Sequence, residues 1–290
     1  MPTLRVTGRR IFAHLPARAQ DAARAVLERR AAKRAVEELA PDLALVDAAI
    51  GGFGGKRVVE IGSDHAAATL RAVARLYTPA ELVGVNPAFA SRQLAANVRT
   101  EQTSAQRSGL PDASIDAVFS SSAFEHIHDL GDVLEEMHRV LVPGGLLYSH
   151  FGPIWSSSYG HHLWIEHEGR LLTYHNVLLP PWCHLLSDRD TVRDLLTPEH
   201  GDALADRMTD FVFASPEQNQ LLFDDYERVV AASPFETVFL KGYDAPDLAA
   251  SYPSARSPAI LDELAGRFPG RRGFLYDGIT LLLRKQESPQ

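Results

Sequence analysis

A run of serine, tyrosine, glycine and histidine is the stretch of this 290-residue chain best suited to acid–base chemistry. It reads Ser156-Ser157-Ser158-Tyr159-Gly160-His161-His162. An imidazole titrates near neutral pH and can remove a proton from a hydroxyl, so either histidine could serve as a general base. We expect His162 to be the base and His161 to form hydrogen bonds within the loop, and the reverse assignment stays open.

Metal and nucleophile chemistry are less well supported by the same region. A metal site there would have to use the side chains of His161, His162, Glu166 and His167. Consecutive histidines rarely point at one ion, so we predict no metal site. The serine run lacks the turn of a nucleophile elbow, and no Ser–His–Asp triad is predicted.

A second stretch suited to ligand binding is an apolar strand that runs into a glycine turn and then a helix. Val58 to Ile61 are apolar except for Glu60, and Gly62 opens the turn. The following segment, Ala66 to Tyr77, has apolar residues at helical spacing. A helix that begins after such a turn presents backbone N–H groups to a ligand.

Strands and helices alternate along the chain that follows this turn. Further strands are predicted at Glu81–Val85, Thr100–Ser104, Ile115–Ser120 and Leu146–Ser149, with helices over Gln93–Asn97 and Leu130–Leu141. This alternation predicts a parallel sheet with helices on both faces. Asn86 ends the second strand, where a ribose would lie in a nucleotide-binding sheet.

The order of these motifs resembles the class I S-adenosylmethionine-dependent methyltransferase family, in particular its type 11 domain. The matching blocks are Val-Val-Glu-Ile-Gly-Ser, Val-Gly-Val-Asn, Leu-Pro-Asp-Ala-Ser-Ile-Asp-Ala-Val-Phe-Ser, Phe-Glu-His-Ile-His-Asp and His-Arg-Val-Leu-Val-Pro-Gly-Gly-Leu-Leu. The resemblance implies an α/β, Rossmann-like fold with a seven-stranded, mostly parallel sheet. It divides the chain into an N-terminal helical segment (1–55), a cofactor-binding core (56–152), a cap inserted after the fifth strand (153–232) and two last strands (233–290).

The resemblance also implies S-adenosylmethionine as the cofactor and assigns its binding residues by position. The glycine turn would contact the methionine part of the cofactor, and the end of the second strand would hold its ribose. The stretch before Leu-Pro-Asp would contact the adenine, and the end of the fourth strand would lie beside the sulfonium. These positions are Glu60, Gly62, Ser63, Asn86, Ser104, Ala105, Ser120 and Ser121.

Three positions depart from the family pattern. Asp64 and Ala66 stand where further glycines are usual, and Asn86 stands where an acidic residue is usual. We interpret Asp64 as a cap of the following helix. The alternative is that ordinary cofactor binding is lost.

Aromatic and histidine residues are concentrated between residues 150 and 215, after the fifth strand. Such a segment is typical of a cap over a ligand cleft. The residues that we expect to line the acceptor site are Trp155, Tyr159, His126 and Trp182. The part from Leu178 to Leu186, with its two prolines, is predicted to be an irregular surface segment, and the last strands are predicted at Glu236–Tyr243 and Gly278–Arg284, the final one antiparallel.

Composition narrows the range of partners and compartments. A net charge of −8 disfavours a nucleic-acid partner. Cys183 is the only cysteine, which excludes an internal disulfide. No apolar run reaches the length of a membrane span, and the N-terminus has no apolar signal core, so we expect a cytoplasmic protein with no membrane partner. A helix over Ala17–Leu39 is expected to lie on the surface or to act as a lid, and a homodimer is compatible with the sequence.

The leading hypothesis is a methyltransferase for a small-molecule acceptor in specialised metabolism, with O-methylation favoured because imidazole bases suit hydroxyl acceptors. A second hypothesis keeps the fold and S-adenosylmethionine but gives a cyclisation or lyase reaction. A third is a non-catalytic binding protein on this fold, motivated by Asp64 and Asn86.

Overall fold

The computed structural model describes residue 33 and the ranges 36–244 and 257–287. Most of the helix expected over Ala17–Leu39 lies outside the described residues. Residues 36–49 form helix α1, which runs through Pro41. Proline is common at the start of a helix, so the sequence predicts a short helix over Asp42–Ile50 that starts at Pro41. That start is wrong, because helical residues already precede Pro41.

Ten strands are present in the described part of the chain. They are β1 (Arg57–Ile61), β2 (Glu81–Val85), β3 (Arg92–Ala95), β4 (Val98–Glu101), β5 (Ile115–Ser121), β6 (Leu141–Phe151), β7 (Trp164–His167), β8 (Arg170–Thr173), β9 (Glu236–Tyr243) and β10 (Gly278–Arg284). Eight of them form one sheet in the order β3-β4-β2-β1-β5-β6-β10-β9. Neighbours from β4 to β6 are parallel, and β10 is antiparallel to both β6 and β9. The predicted Rossmann-like, mostly parallel sheet with an antiparallel last strand is confirmed.

The sheet has eight strands where seven were expected, because the segment predicted as a helix over Gln93–Asn97 is the edge strand β3. It pairs antiparallel with β4, and its side chains alternate between half-buried and exposed. Four residues are too few to show a helical period, so local pattern could not distinguish the two structures. The expected strand Thr100–Ser104 likewise lies a little earlier, at Val98–Glu101.

Helices cover both faces of the sheet. Besides α1, the described helices of four residues or more are α2 (Ala68–Leu76), α3 (Leu130–Val140), α4 (Cys183–Leu186), α5 (Arg189–His200), α6 (Asp202–Ala214), α7 (Phe223–Ala232) and α8 (Pro258–Arg267). α1 and α2 pack on one face in a core that includes Phe53, Phe119 and Tyr148. α3 and α7 pack on the other face, around Phe124 and Phe151. The strands are thus held rigidly, with their carboxyl ends at one edge.

The segment after β6 has a small core of its own, built by the β7–β8 hairpin and by α4, α5 and α6. The prediction of an irregular surface segment over Leu178–Leu186 is wrong, because Leu179, Trp182 and Cys183 are buried and α4 lies within it. Helix α7 differs from the rest of this segment because it joins the core of the sheet. Among the described residues, no helix is both long and apolar enough to cross a membrane.

Candidate active site

A cavity of about 740 Å³ opens at the carboxyl ends of β1, β2 and β5. Its wall includes four positions that were assigned to the cofactor: Gly62, Asn86, Ser104 and Ala105. Apolar residues such as Val85, Phe89 and Ile127 make up much of the remainder. A mostly apolar cleft of this size with a few polar groups is typical of a small-molecule site.

Gly62 is required at the turn by its backbone and by a close contact. Its φ angle is +87°, a region that residues with a side chain rarely adopt. A Cβ atom at this position would lie 2.4 Å from the Cβ of Ala123, on the wall formed after β5. A larger residue would therefore disturb the fold before it met any ligand, so a Gly62 variant cannot by itself report on cofactor binding.

Asn86 joins the ends of β1 and β2. Its side-chain nitrogen donates to the carbonyl of Ser63 at 3.0 Å, and its side-chain oxygen accepts from the N–H of Ala88 at 2.8 Å. The side chain that was expected to hold a ribose thus makes two local hydrogen bonds while still lining the cavity. Its amide oxygen has a second lone pair that remains for a ligand hydroxyl.

Asp64 caps the entry to α2. Its two carboxylate oxygens accept from the backbone N–H groups of Ala66 at 2.6 Å and Ala68 at 2.9 Å. The side chain is exposed, outside the cavity wall. This geometry supports the capping interpretation, with the difference that the helix begins at Ala68 and not at His65.

Replacing Asp64 by alanine should lower the free energy of unfolding by about 0.5–2 kcal/mol, because two helix-entry N–H groups lose their acceptor. Affinity for S-adenosylmethionine should stay nearly constant. Asp64→Asn, which keeps one acceptor oxygen, should lose less stability. Denaturant unfolding and calorimetry on the same preparations check both effects, and a large drop in affinity at unchanged stability would contradict the capping role.

Glu60 and Ser63 lie behind the turn, outside the cavity wall, and are 4% and 2% exposed. Burial raises the pKa of the Glu60 carboxyl to about 7, and the negative charge of Asp64 acts in the same direction, although the hydroxyls of Ser63 and Thr69 oppose it. Glu60 Oε2 and the Ser63 hydroxyl make no hydrogen bond of good geometry. Two buried polar atoms thus remain unsatisfied beside the turn, as expected next to a polar ligand.

The two serines at the end of β5 have different surroundings. Ser120 is fully buried, and its hydroxyl donates to the carbonyl of Ile61 at 3.1 Å, which ties β5 to β1. Ser121 is exposed at the edge of the sheet, next to the cavity residue Ser122. The Ser120 side chain thus links two strands and is not part of the cavity wall, and its contact with the cofactor stays a prediction.

His126 is the predicted acceptor-site residue that does line the cavity. It lies in the short helical turn Phe124–His126 after β5, and its ring is exposed. Its Nδ1 is 2.7 Å from the carbonyl oxygen of Glu217. A carbonyl can only accept, so Nδ1 carries the proton and Nε2 is left to accept one.

His162 lies behind His126 and is held in a neutral form. The two rings are 4.9 Å apart, and the side-chain amide of Gln218 donates to Nδ1 of His162. Burial, and then the proximity of His126, lowers the pKa of His162 to about 3. This geometry does not favour His162 as the general base, because its Nδ1 already accepts from Gln218 and its ring resists protonation.

His161 is also placed away from the cavity. It is 3% exposed, and its Nδ1 accepts from the N–H of Leu163 at 3.1 Å. Burial lowers its pKa well below the ordinary value, and the neighbouring rings of His184 and His162 add to this. The glycine before the pair has a packing role, because a Cβ on Gly160 would lie 2.4 Å from the carbonyl oxygen of Trp155.

Three aromatic residues expected at the acceptor site do not line the cavity. Tyr159 and Trp182 are each 1% exposed, and the Trp182 indole donates to the carbonyl of Ser156 at 2.8 Å. Trp155 is half-buried against the ring of His184, with 4.6 Å between ring centroids. Their apolar surface stabilises the segment after β6, and this corrects their assignment to the substrate.

Three consecutive residues of the site could not be predicted from local sequence motifs. Glu217 lines the cavity and holds His126 through its backbone, and Gln218 holds His162. Asn219 continues this anchoring, because its amide donates to the carbonyls of Phe124 and Ile127. No cluster of three or more His, Cys, Asp or Glu residues suited to a metal ion occurs in the described ranges.

The central part of the chain matches a known family. Residues 59–149 match the family model described as a methyltransferase domain. This segment, about a third of the chain, is similar to a methyltransferase domain. S-adenosylmethionine is the cofactor of this domain.

Relatives of the methyltransferase domain include a malonyl-[acyl-carrier protein] O-methyltransferase from Coxiella burnetii, which is 37% identical over 99 residues. That match covers 33% of this chain, and the chain spans about a third (34%) of that relative. Among solved structures, geranyl diphosphate C-methyltransferase from Streptomyces coelicolor A3(2) is similar with a TM-score of 0.48 and 13% identity, over 85% of this chain and 77% of that one. An S-adenosylmethionine-dependent methyltransferase from Mesorhizobium loti has a TM-score of 0.45 and 15% identity, over 80% and 92% of the two chains.

The residues of the methyltransferase domain fit this cofactor. The cavity is large and mostly apolar, and polar side chains stand at separated points of its wall, including Asn86 and Ser104. The unsatisfied Glu60 Oε2 and Ser63 hydroxyl lie at the glycine turn, close to where the resemblance places the polar amino-acid end. The side chain that departs from the family pattern, Asp64, is turned to α2 by its two hydrogen bonds.

Proposed function

We propose that the protein transfers a methyl group from S-adenosylmethionine to an oxygen atom of a small molecule. The observation that carries this proposal is His126, an imidazole in the wall of the cavity with its Nδ1 proton fixed by a carbonyl. Such a base suits an acceptor that must lose a proton, as a hydroxyl does. The O-methyltransferase activity named for the relative from Coxiella burnetii supports the same choice of atom.

In this mechanism the chain's main task is to align the acceptor. The cofactor, when bound, supplies a methyl group already activated on a sulfonium. Gly62, Asn86 and Ala105 form the walls that would hold it, and an in-line approach by the acceptor gains from proximity and orientation. His126 Nε2 takes the acceptor proton, and the carbonyl of Glu217 stabilises the imidazolium that forms, because Nδ1–H keeps donating to it.

Calorimetry and product analysis test this function. Both S-adenosylmethionine and its demethylated product should bind, and absence of binding by both would support the non-catalytic hypothesis instead. With a cofactor carrying a deuterated methyl group, mass spectrometry of a mixture of small hydroxylated molecules should show a labelled methylated product. Appearance of cofactor fragments without a labelled product would favour cyclisation or lyase chemistry.

A further inference from the structure

Beyond the cavity, four side chains form a line across the carboxyl edge of the sheet. Ser121 on β5 is paired with His150 on β6. His150 is paired in turn with Thr280 on β10, and Thr280 with Lys241 on β9. Because neighbouring strands are about 4.8 Å apart, this polar row extends over about 14 Å.

The polar row lies on the face of the sheet that α1 and α2 cover further down. Side chains two residues apart on a strand share a face. Phe119, Tyr148 and Leu282, each two positions from a member of the row, all pack in the core with α1 and α2. The row itself is beyond that core, since Ser121, His150 and Lys241 are exposed and Thr280 is half-buried.

One end of the polar row meets the wall of the cavity. Ser122 lines the cavity, and its N–H donates to the carbonyl of His150 at 2.9 Å. Ser121 therefore lies directly beside the place where the cavity opens. A molecule whose reacting atom enters the cavity from this side would lie along the row.

The middle of the polar row presents the flat surface of the His150 ring to a ligand. Its hydrogen-bonding groups are mostly used within the protein. His150 Nδ1 is 2.7 Å from the hydroxyl of Thr280, so these two side chains bond one another. The His150 ring also stacks on Tyr243, with 4.4 Å between centroids and 16° between planes. Stacked rings of this kind favour contact with an apolar or planar stretch of a ligand.

The far end of the polar row is the ammonium group of Lys241. The Lys241 ammonium is exposed and stands 5.7 Å from the centroid of the Phe239 ring. No carboxylate among the described residues forms an ion pair with it. An ammonium at the end of a row of this kind is suited to the carboxylate of a ligand.

We infer that the polar row binds an elongated acceptor that carries a carboxylate, with its methyl-accepting end at Ser121 and its carboxylate at Lys241. This inference rests on the proposed methyl transfer and adds the shape and charge of the acceptor. It also gives one shared role to an imidazole, a threonine hydroxyl and a lysine that are paired across three adjacent strands.

The test compares two probes of equal length, 10-hydroxydecanoate and the neutral 10-hydroxydecanamide, by calorimetry on the full-length protein saturated with S-adenosylhomocysteine. The acid should bind at least about 10-fold more tightly than the amide, the size expected for a hydrogen bond to a charged group. Lys241→Gln should remove that preference, and Lys241→Arg should restore most of it. Arg75→Gln, which removes one exposed positive charge at the end of α2 near the opposite edge of the sheet, is the matched control and should leave the preference intact.

Three results would overturn the inference: no binding of the acid, equal affinity for acid and amide, or an unchanged preference in Lys241→Gln. Binding of S-adenosylhomocysteine is measured first and separately. If it fails, the proposed function fails, and the acid and amide titrated into the protein alone still report on the polar row. If it succeeds without any preference for the acid, only the polar row is refuted.

Discussion

Replacing His126 by alanine should reduce the rate of methyl transfer to a hydroxyl acceptor by about 10²- to 10⁴-fold, the usual contribution of a positioned general base. The reason is geometric. His126 is the histidine in the cavity wall whose Nδ1 proton is held by a backbone carbonyl, at 2.7 Å from Glu217, which leaves Nε2 as the acceptor. Affinity for S-adenosylmethionine should change little, because the walls around the glycine turn are untouched. Single-turnover kinetics together with calorimetry separates the two effects.

His126→Asn is the matched variant for this prediction. The asparagine amide can still donate to the carbonyl of Glu217, so the wall keeps its anchor, but it cannot accept a proton at neutral pH. It should therefore be as slow as His126→Ala while unfolding more like the parent. If both variants turn over at the parental rate, no base acts at this position and alignment alone carries the reaction.

His162→Ala tests whether the base is His126, in the cavity wall, or the His162 ring behind it. The buried Gln218 amide would lose one of its two acceptors and keep only the long bond of 3.5 Å to the carbonyl of Pro153, so stability should fall by about 1–3 kcal/mol. Turnover measured on the folded fraction should fall far less than in His126→Ala. A larger loss of turnover in His162→Ala than in His126→Ala would reverse the assignment of the two rings.

Much of the sheet could be predicted because buried parallel strands and amphipathic helices have strong local patterns. The strand predicted at Glu81–Val85 has the same bounds in the structure, and the helix predicted over Leu130–Leu141 ends one residue earlier, at Val140. The edge strand β3 was missed because it has four residues and only alternate half-burial. The region after β6 was missed because its core is assembled from short pieces, such as α4, that have no period of their own.

The candidate site was predictable only where motifs mark it. Gly62, Asn86 and His126 belong to short blocks with a known place in the fold, and all three line the cavity. The sequence favoured His162 over His126 as the base because the burial and the tautomer of each ring depend on residues that are distant in sequence. Glu217 is 91 positions from His126 along the chain, and Gln218 is 56 positions from His162, so no local pattern could show which ring keeps an open nitrogen.

The second large effect concerns stability against pH, because five buried titratable groups hold unusual protonation states. Burial lowers the pKa of His162 to about 3 and of His184 to about 4, and lowers that of His161 well below its ordinary value. Burial raises the pKa of Glu60 to about 7 and of Glu125 to about 8. Each of these groups is neutral in the folded protein around pH 6.

The direction on the acid side follows from the histidines. Below about pH 6.5 an unfolded chain binds a proton on each of them. In the folded chain His184 does so only near pH 4, His162 only near pH 3, and His161 only well below its ordinary pKa. The stability that each neutral histidine contributes is complete above pH 6.5 and is lost at about 1.4 kcal/mol per pH unit as the pH falls. The glutamates act in the opposite direction. Their neutral folded forms contribute stability that is complete below about pH 4.5 and is lost as the pH rises through 7 and 8.

Taking the histidines and the glutamates together, we expect the free energy of unfolding to be largest between about pH 6 and pH 7. Between pH 4.5 and 6.5 the three histidines act against the two glutamates, so acidification should lower the free energy of unfolding. Below pH 4.5 the glutamates no longer compensate, and the slope should steepen. Above pH 7 only the glutamates contribute, and stability should fall again. Denaturant unfolding at half-unit steps from pH 4 to pH 9 measures the whole curve.

Two conservative variants test which groups cause the loss of stability at acid pH (the acid limb of the curve) and at alkaline pH (the alkaline limb). Glu125→Gln keeps an acceptor for the N–H of Gly152 but cannot ionise, so it should flatten the alkaline limb. It should also steepen the acid limb between pH 4.5 and 6.5, because one of the two glutamates that oppose the histidines there no longer titrates. His184→Gln keeps a donor for the carbonyl of Trp155 and cannot take up a proton, so it should make the acid limb shallower and leave the alkaline limb unchanged. If both variants follow the parental curve on both limbs, burial does not hold these groups neutral, and the acid and alkaline losses have another origin.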